Sequence, residues 1–145
     1  MNPTRTTARR LAGDLDAPGK ARRFLRQWMR RDPRLHAVTL ALSEIVANAV
    51  VHGGAGAREG GIEVELSEDG PTVRVTVVHR GPAFEPPAEA PGPGGAMGWG
   101  LVRQVVDRWG IEPDGPMVRV WFEVDEGNAG THRAGSTRPV RARRR

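Results

Sequence analysis

Apolar residues recur at helical spacing from the first quarter of the chain. Ala21, Phe24, Leu25, Trp28 and Met29 predict an amphipathic helix over residues 17–31, with Asp16 placed to cap it and Pro18 in its first turn. Such a helix should lie on a sheet. Asp32 and Pro33 announce a second helix, which buries Leu35, Val38, Leu42, Ile45, Val46 and Ala49 and which Gly53-Gly54 should end. The period then changes from helical to two. Residues 62–66 and 73–77 alternate apolar and polar side chains around Asp69-Gly70-Pro71, predicting a hairpin with one wet face. Residues 81–95 carry five prolines, a composition that permits neither helix nor interior strand, so a long loop is expected. A third helix over 98–108 turns Leu101, Val102, Val105 and Val106 inward, and a last strand, 118–124, follows the turn Asp114-Gly115-Pro116. Helices on one face of a mostly antiparallel sheet give the α+β class, a two-layer sandwich.

Composition narrows this picture. A chain of 145 residues is the size of one ordinary domain. No cysteine is present, which excludes disulfides and thiolate metal sites. The net charge of +5 is carried by the tail, where six arginines stand against Glu126 and leave the preceding residues neutral as a set. Weak attraction to nucleic acid through this Arg-rich tail is therefore the most that the charge supports. The basic first ten residues lead into no apolar run of signal length, and Ser43, Glu44 and Asn48 interrupt the most apolar stretch, so a cytoplasmic protein without a membrane partner is expected. The expected organisation is a flexible N-terminus over 1–6, one domain over 7–125 with a lid loop at about 81–97, and a disordered tail over 126–145.

Chemistry concentrates on the second helix. Glu44, Asn48 and His52 are spaced four apart and so share one stripe beside the apolar face. A carboxamide oxygen is a hard ligand suited to magnesium, and a carboxylate one turn away can take a proton from a hydroxyl. Taken alone, Glu-x-x-x-Asn on a helix is most often a solvated face. Two downstream segments add to it: Val77-Val78-His79-Arg80-Gly81-Pro82 leaves a strand for the Pro/Gly loop, and Ala96-Met97-Gly98-Trp99-Gly100-Leu101-Val102 turns that loop into a helix start. Glycines there allow backbone N–H groups to approach a phosphate.

In this order the segments resemble the GHKL superfamily, the Bergerat ATP-binding fold of sensor histidine kinases, gyrase and Hsp90. The resemblance covers about residues 7–125 and is closest to the small anti-sigma-factor serine/threonine kinases. It rests on Glu44-Ile45-Val46-Ala47-Asn48-Ala49-Val50-Val51-His52-Gly53, on Val105-Val106-Asp107-Arg108-Trp109-Gly110 and on Val120-Trp121-Phe122-Glu123. It implies ATP and Mg²⁺ as cofactors, Asn48 as the metal ligand and Glu44 as general base toward a partner's Ser or Thr hydroxyl. Gly98 and Gly100 would cradle the phosphates, and His52, His79, Gly81, Met97, Trp99, Leu101 and Arg119 complete the implied nucleotide contacts. His79 stands where the family usually has Asp, Arg119 where Thr is common, and Ala96 where the glycine box usually begins. The implied partners are a sigma factor and an anti-anti-sigma (STAS-type) antagonist, with a homodimer left open. The alternative is a GHKL-fold binding module that regulates partners without nucleotide chemistry. His36, His52, His79 and His132 show no metal-ligand spacing, Ser43 sits in no nucleophile elbow, and Trp28, Trp109 and Trp121 read as core or near-core groups.

Overall fold

The structure, a computed structural model, describes residues 4–84 and 99–127, with the backbone alone for 53–59. Five strands and three helices are defined in the order β1 (Arg5–Leu11), α1 (Ala17–Trp28), α2 (Leu35–Gly60), β2 (Ile62–Asp69), β3 (Thr72–Arg80), α3 (Trp99–Val105), β4 (Arg108–Asp114) and β5 (Met117–Asp125). The strands form one sheet, β1-β2-β3-β5-β4, antiparallel at every pairing. The expected α+β two-layer sandwich is what forms.

Alternation decides which sheet face the helices cover. Ile62, Val64 and Leu66 of β2, Val73, Val75 and Val77 of β3, and Val118, Val120, Phe122 and Val124 of β5 are buried in one core with the inner rows of α1 and α2. Arg74, Arg119, Trp121 and Glu123 lie on the opposite face, where the Arg74 guanidinium stacks 4.2 Å from the Trp121 ring centroid. The apolar window Leu35–His52 is long enough to cross a membrane by composition, but Ala37, Val38, Ala41, Leu42, Ile45, Val46 and Ala49 within it are buried inside the protein, as in a core helix.

The hairpin and both turns form as expected: Asp69 pairs with Thr72 across Gly70-Pro71, and Asp114 pairs with Met117 across Gly115-Pro116. Five elements differ from the sequence pattern, among them β4, which that pattern did not predict. The strand β1 begins at Arg5, inside the stretch expected to be a flexible terminus, and pairs with β2 along its whole length. Of its helix-facing positions Leu11 is apolar and buried, but Arg5 and Arg9 are not apolar; their guanidinium groups cover the rings of Trp28 at 4.3 Å and Phe24 at 4.8 Å. The first helix ends at Trp28, short of Arg31, whose φ of 59° lies in the left-handed region. Asp16 makes no side-chain capping bond there; the Asp14 carboxylate accepts the Asp16 N–H instead.

The helix α2 starts at Leu35 and runs through Gly53-Gly54 to Gly60, because Ala55, Ala57, Arg58 and Glu59 are good helix formers around the glycine pair. Termination falls to Gly61, with φ +77° and room for no side chain: a Cβ there would sit 3.0 Å from the Leu11 carbonyl oxygen. Asp32 does act at the helix start, accepting the Arg34 N–H at 2.8 Å. The helix α3 ends at Val105, not 108, since the Asp107 N–H donates to Glu123 and the Asp107 carboxylate accepts the Asp125 N–H, drawing the chain into β4.

Candidate functional site

Glu44 and Asn48 are half-buried, one turn apart, beside a helix row whose other members are sealed in the core. His52 continues the stripe but is exposed, whereas Ile45, two turns earlier on the core side, is buried. The row therefore passes from core to surface in the C-terminal half of α2. Chain connectivity brings the end of β3 to that place. Gly60 closes α2, Gly61 turns the chain, and Ile62 opens β2 directly opposite His79. The helix α3 packs against α2. Two of the segments singled out by sequence, the end of α2 and the end of β3, thus meet at one end of the molecule.

His79 is buried, at 6% exposure, between the cross-strand neighbours Ile62 and Val118. Burial pushes its imidazole below the ordinary histidine range, a shift that the Arg80 carbonyl only partly opposes, so the ring is neutral at neutral pH. Its Nδ1 lies 3.1 Å from that carbonyl oxygen. Gly81 follows with φ +147° and its N–H donates to the Pro116 carbonyl; a Cβ at Gly81 would lie 3.8 Å from the His79 ring. The β3 exit is thereby pinned to the β4–β5 turn.

Arg119 goes elsewhere. It pairs in register with Val78, not His79, so alternation turns its side chain to the opposite face of the sheet, where it meets Asp114 at 2.9 Å. The residue beside His79 is Val118. Assigning Arg119 by sequence alone missed the strand register by one residue, and one residue exchanges the two faces.

The Trp99 side chain is 3% exposed, packed 5.3 Å from the Trp109 ring centroid and edge-on to Phe84 at 6.1 Å. It is a core group, leaving only its backbone for a ligand. Phe84 and Trp99 are the described residues on either side of the Pro/Gly segment, so this contact ties its two ends together. Phe84 was not singled out in the sequence, although it is the one aromatic residue of that segment. Trp109 Nε1 is the one buried side-chain nitrogen or oxygen without a hydrogen-bond partner among the described residues. Gly100 and Leu101 are half-buried at the start of α3. Met97, Gly98, most of the expected lid and the tail from 128 onward lie outside the described residues.

The donor set bears on a metal. No cluster of three or more His, Asp or Glu side chains occurs among the described residues, which excludes an all-protein cage there. One carboxamide and one carboxylate at a half-open position fit magnesium, which keeps most of its shell as water and phosphate oxygens.

A family profile described as the histidine kinase-like ATPase domain matches residues 11–122. The chain belongs to that family. Within it, Glu44 and Asn48 of α2, His79 and Gly81 at the end of β3, and the start of α3 all fall inside the matched region. Among solved structures, one of the RsbU and RsbW domains of Rv1364c from Mycobacterium tuberculosis is similar in fold. The TM-score is 0.65 at 23% identity, over 85% of this chain and 32% of that one. This chain thus spans about a third of that protein's length. No curated protein matches.

Proposed function

We propose that this ATPase-family domain binds magnesium-ATP at the C-terminal half of α2 and acts as a serine/threonine kinase of the anti-sigma type. It would phosphorylate an anti-anti-sigma (STAS-type) antagonist and sequester a sigma factor. The observation that carries the reading is Glu44 and Asn48, half-buried and one turn apart where the inner row of α2 emerges from the core, in a chain of this family. Phosphoryl transfer asks mainly for positioning and charge neutralisation, which a few well-held groups can supply. The Asn48 carboxamide oxygen would hold the metal, and the Glu44 carboxylate would accept the proton of a partner's hydroxyl. Magnesium, when bound, offsets the charge of the phosphates. Gly100 and the N–H groups at the start of α3 would approach the phosphates.

A second reading, a binding module without nucleotide chemistry, is favoured by the neutral imidazole of His79 in place of a carboxylate. Calorimetry separates the two. Binding of magnesium-ATP to the wild-type chain, abolished in Asn48→Ala and kept in Glu44→Gln, is the expected result. Glu44→Gln should also lose transfer of labelled phosphate to a STAS-type protein. No heat of binding at millimolar magnesium-ATP would overturn the kinase reading.

A further inference from the structure

Residues 1–125 are neutral as a set, but their charges are separated along the chain. Residues 1–31 hold nine basic side chains against Asp14 and Asp16, whereas residues 32–125 hold seven against fourteen acidic ones. The fold keeps that separation in space. Residues 5–28 supply β1, an edge strand of the sheet, and α1, which packs against it, so the excess gathers on one flank of the molecule. Arg5 and Arg9 of β1, Arg23 and Arg26 of α1, and Arg30 and Arg31 just past it are all exposed. The stacking of Arg5 on Trp28 and of Arg9 on Phe24 draws the cations of the strand against those of the helix. A guanidinium lying flat on a ring still has its N–H edge for an acceptor. Arg31 holds a left-handed backbone, φ 59°, where glycine is the easy choice.

The composition of this flank selects its partner. Eight of the nine basic residues are arginine, whose planar fork matches pairs of phosphate oxygens. A protein partner seats on an apolar centre within a polar rim. Here Trp28 and Phe24 lie beneath guanidinium groups, and the exposed Leu15 stands between Asp14 and Asp16, at the other end of α1 from Arg26. The apolar residues of α1, namely Ala17, Ala21, Phe24 and Leu25, are buried in the core, which leaves none of them to enter a bilayer. Single strands stack their bases on open aromatic rings, and these rings are covered. The phosphate backbone of a duplex needs charge alone. We propose that the β1–α1 flank binds double-stranded DNA through its phosphates, without regard to sequence, with Arg9, Arg23, Arg26 and Arg30 as contacts. Glu68 and Glu63, which pair with Arg5 at 3.4 Å and Arg10 at 3.7 Å, bound the surface on the β2 side. Nothing in this depends on the nucleotide reading of α2.

The test is fluorescence anisotropy of a labelled duplex of arbitrary sequence with the full chain, at salt from about 50 to 200 mM. Three variants join wild type: Arg23→Gln with Arg26→Gln and Arg30→Gln, the same three positions changed to Lys, and Arg141→Gln with Arg143→Gln, Arg144→Gln and Arg145→Gln. Wild type should bind at low salt with Kd of about 1–100 μM. The flank Gln variant should lose roughly tenfold or more, and its slope of log affinity against log salt should fall by about 2–3, at about 0.9 per phosphate contact. The Lys variant should keep the slope, and the tail variant should keep binding that the flank substitutions then remove. No binding at low salt overturns the proposal, as does an unchanged slope in the flank Gln variant or equal losses in the Gln and Lys variants. Binding abolished in the tail variant assigns the charge effect to the tail and overturns it too. Tighter association of wild type with phosphatidylserine vesicles than with the duplex overturns it in favour of a membrane. Displacement of the duplex by polyglutamate at equal charge overturns it in favour of an acidic protein.

Discussion

Replacing Trp99 by Ala decides whether that side chain is a structural anchor or a ligand contact. At 3% exposure, with Trp109 and Phe84 against it, the indole is as enclosed as the valines of the sheet. Truncating a buried Trp to Ala costs about 3–5 kcal/mol through lost transfer energy and the cavity left behind. Each aromatic contact within that total is worth about 0.5–1.5 kcal/mol. A domain of this size holds about 5–15 kcal/mol of stability, so the substitution removes a large share of it. The expected shift in Tm is on the order of 10–15 °C downward.

Trp99→Phe keeps a ring between Phe84 and Trp109 and should recover more than half of the loss. Denaturant unfolding followed by far-ultraviolet circular dichroism gives the free energies. Near-ultraviolet dichroism reads the Trp99–Trp109 pair directly, since tilted indoles 5.3 Å apart couple and the variant should lose that signal. A loss of less than about 1 kcal/mol in Trp99→Ala, together with a tenfold or larger drop in magnesium-ATP affinity, would refute the packing assignment.

Three further outcomes follow from the geometry. Arg34, at 4% exposure, holds Asp32 through two nitrogens, Glu68 at 2.6 Å and the Pro71 carbonyl, so Arg34→Met should cost about 2–3 kcal/mol in urea unfolding. That figure is below the usual range for a broken buried pair because Asp32 and Glu68 keep 15% and 26% exposure. Burial alone would raise the Asp32 carboxyl, but the Arg34 hydrogen bonds and charge outweigh it and hold the carboxyl below 3.8. The stabilisation is therefore complete above that value and lost as pH falls through the lower folded one, so the gap between wild type and Arg34→Met should narrow below about pH 4; a gap constant to pH 2 would contradict the ion-pair account. Arg119→Thr removes a pair whose side chains are 40% and 52% exposed, so unfolding should move by less than about 1 kcal/mol and nucleotide affinity should not change; altered affinity would contradict its placement on the far face. Gly61→Ala should cost about 2 kcal/mol or more, since φ is +77° and the Leu11 carbonyl oxygen lies 3.0 Å from the new Cβ, and thermal melting checks it.

What could be read from the sequence divides along the range of the forces involved. The hairpin, α1 and the inner row of α2 announce themselves because their burial is periodic and their turns carry Gly and Pro at the right places. The strand β1 does not: positions that should be apolar are Arg5 and Arg9, and their cover of Trp28 and Phe24 exists only once the helix is laid beside the strand. The strand β4, with Gly110 and Pro113 inside it, owes its conformation to pairing with β5 rather than to its own residues. The same limit governs the site. Glu44 and Asn48 lie on one helix, so their spacing alone fixes their relation. His79 and Arg119 lie on different strands, and their relation depends on register, which the sequence leaves open by one residue. That residue separates a side chain at the emerging end of α2 from one on the far face. It also makes Val118, rather than Arg119, the cross-strand neighbour of His79, so what lowers that imidazole is burial, opposed in part by the Arg80 carbonyl.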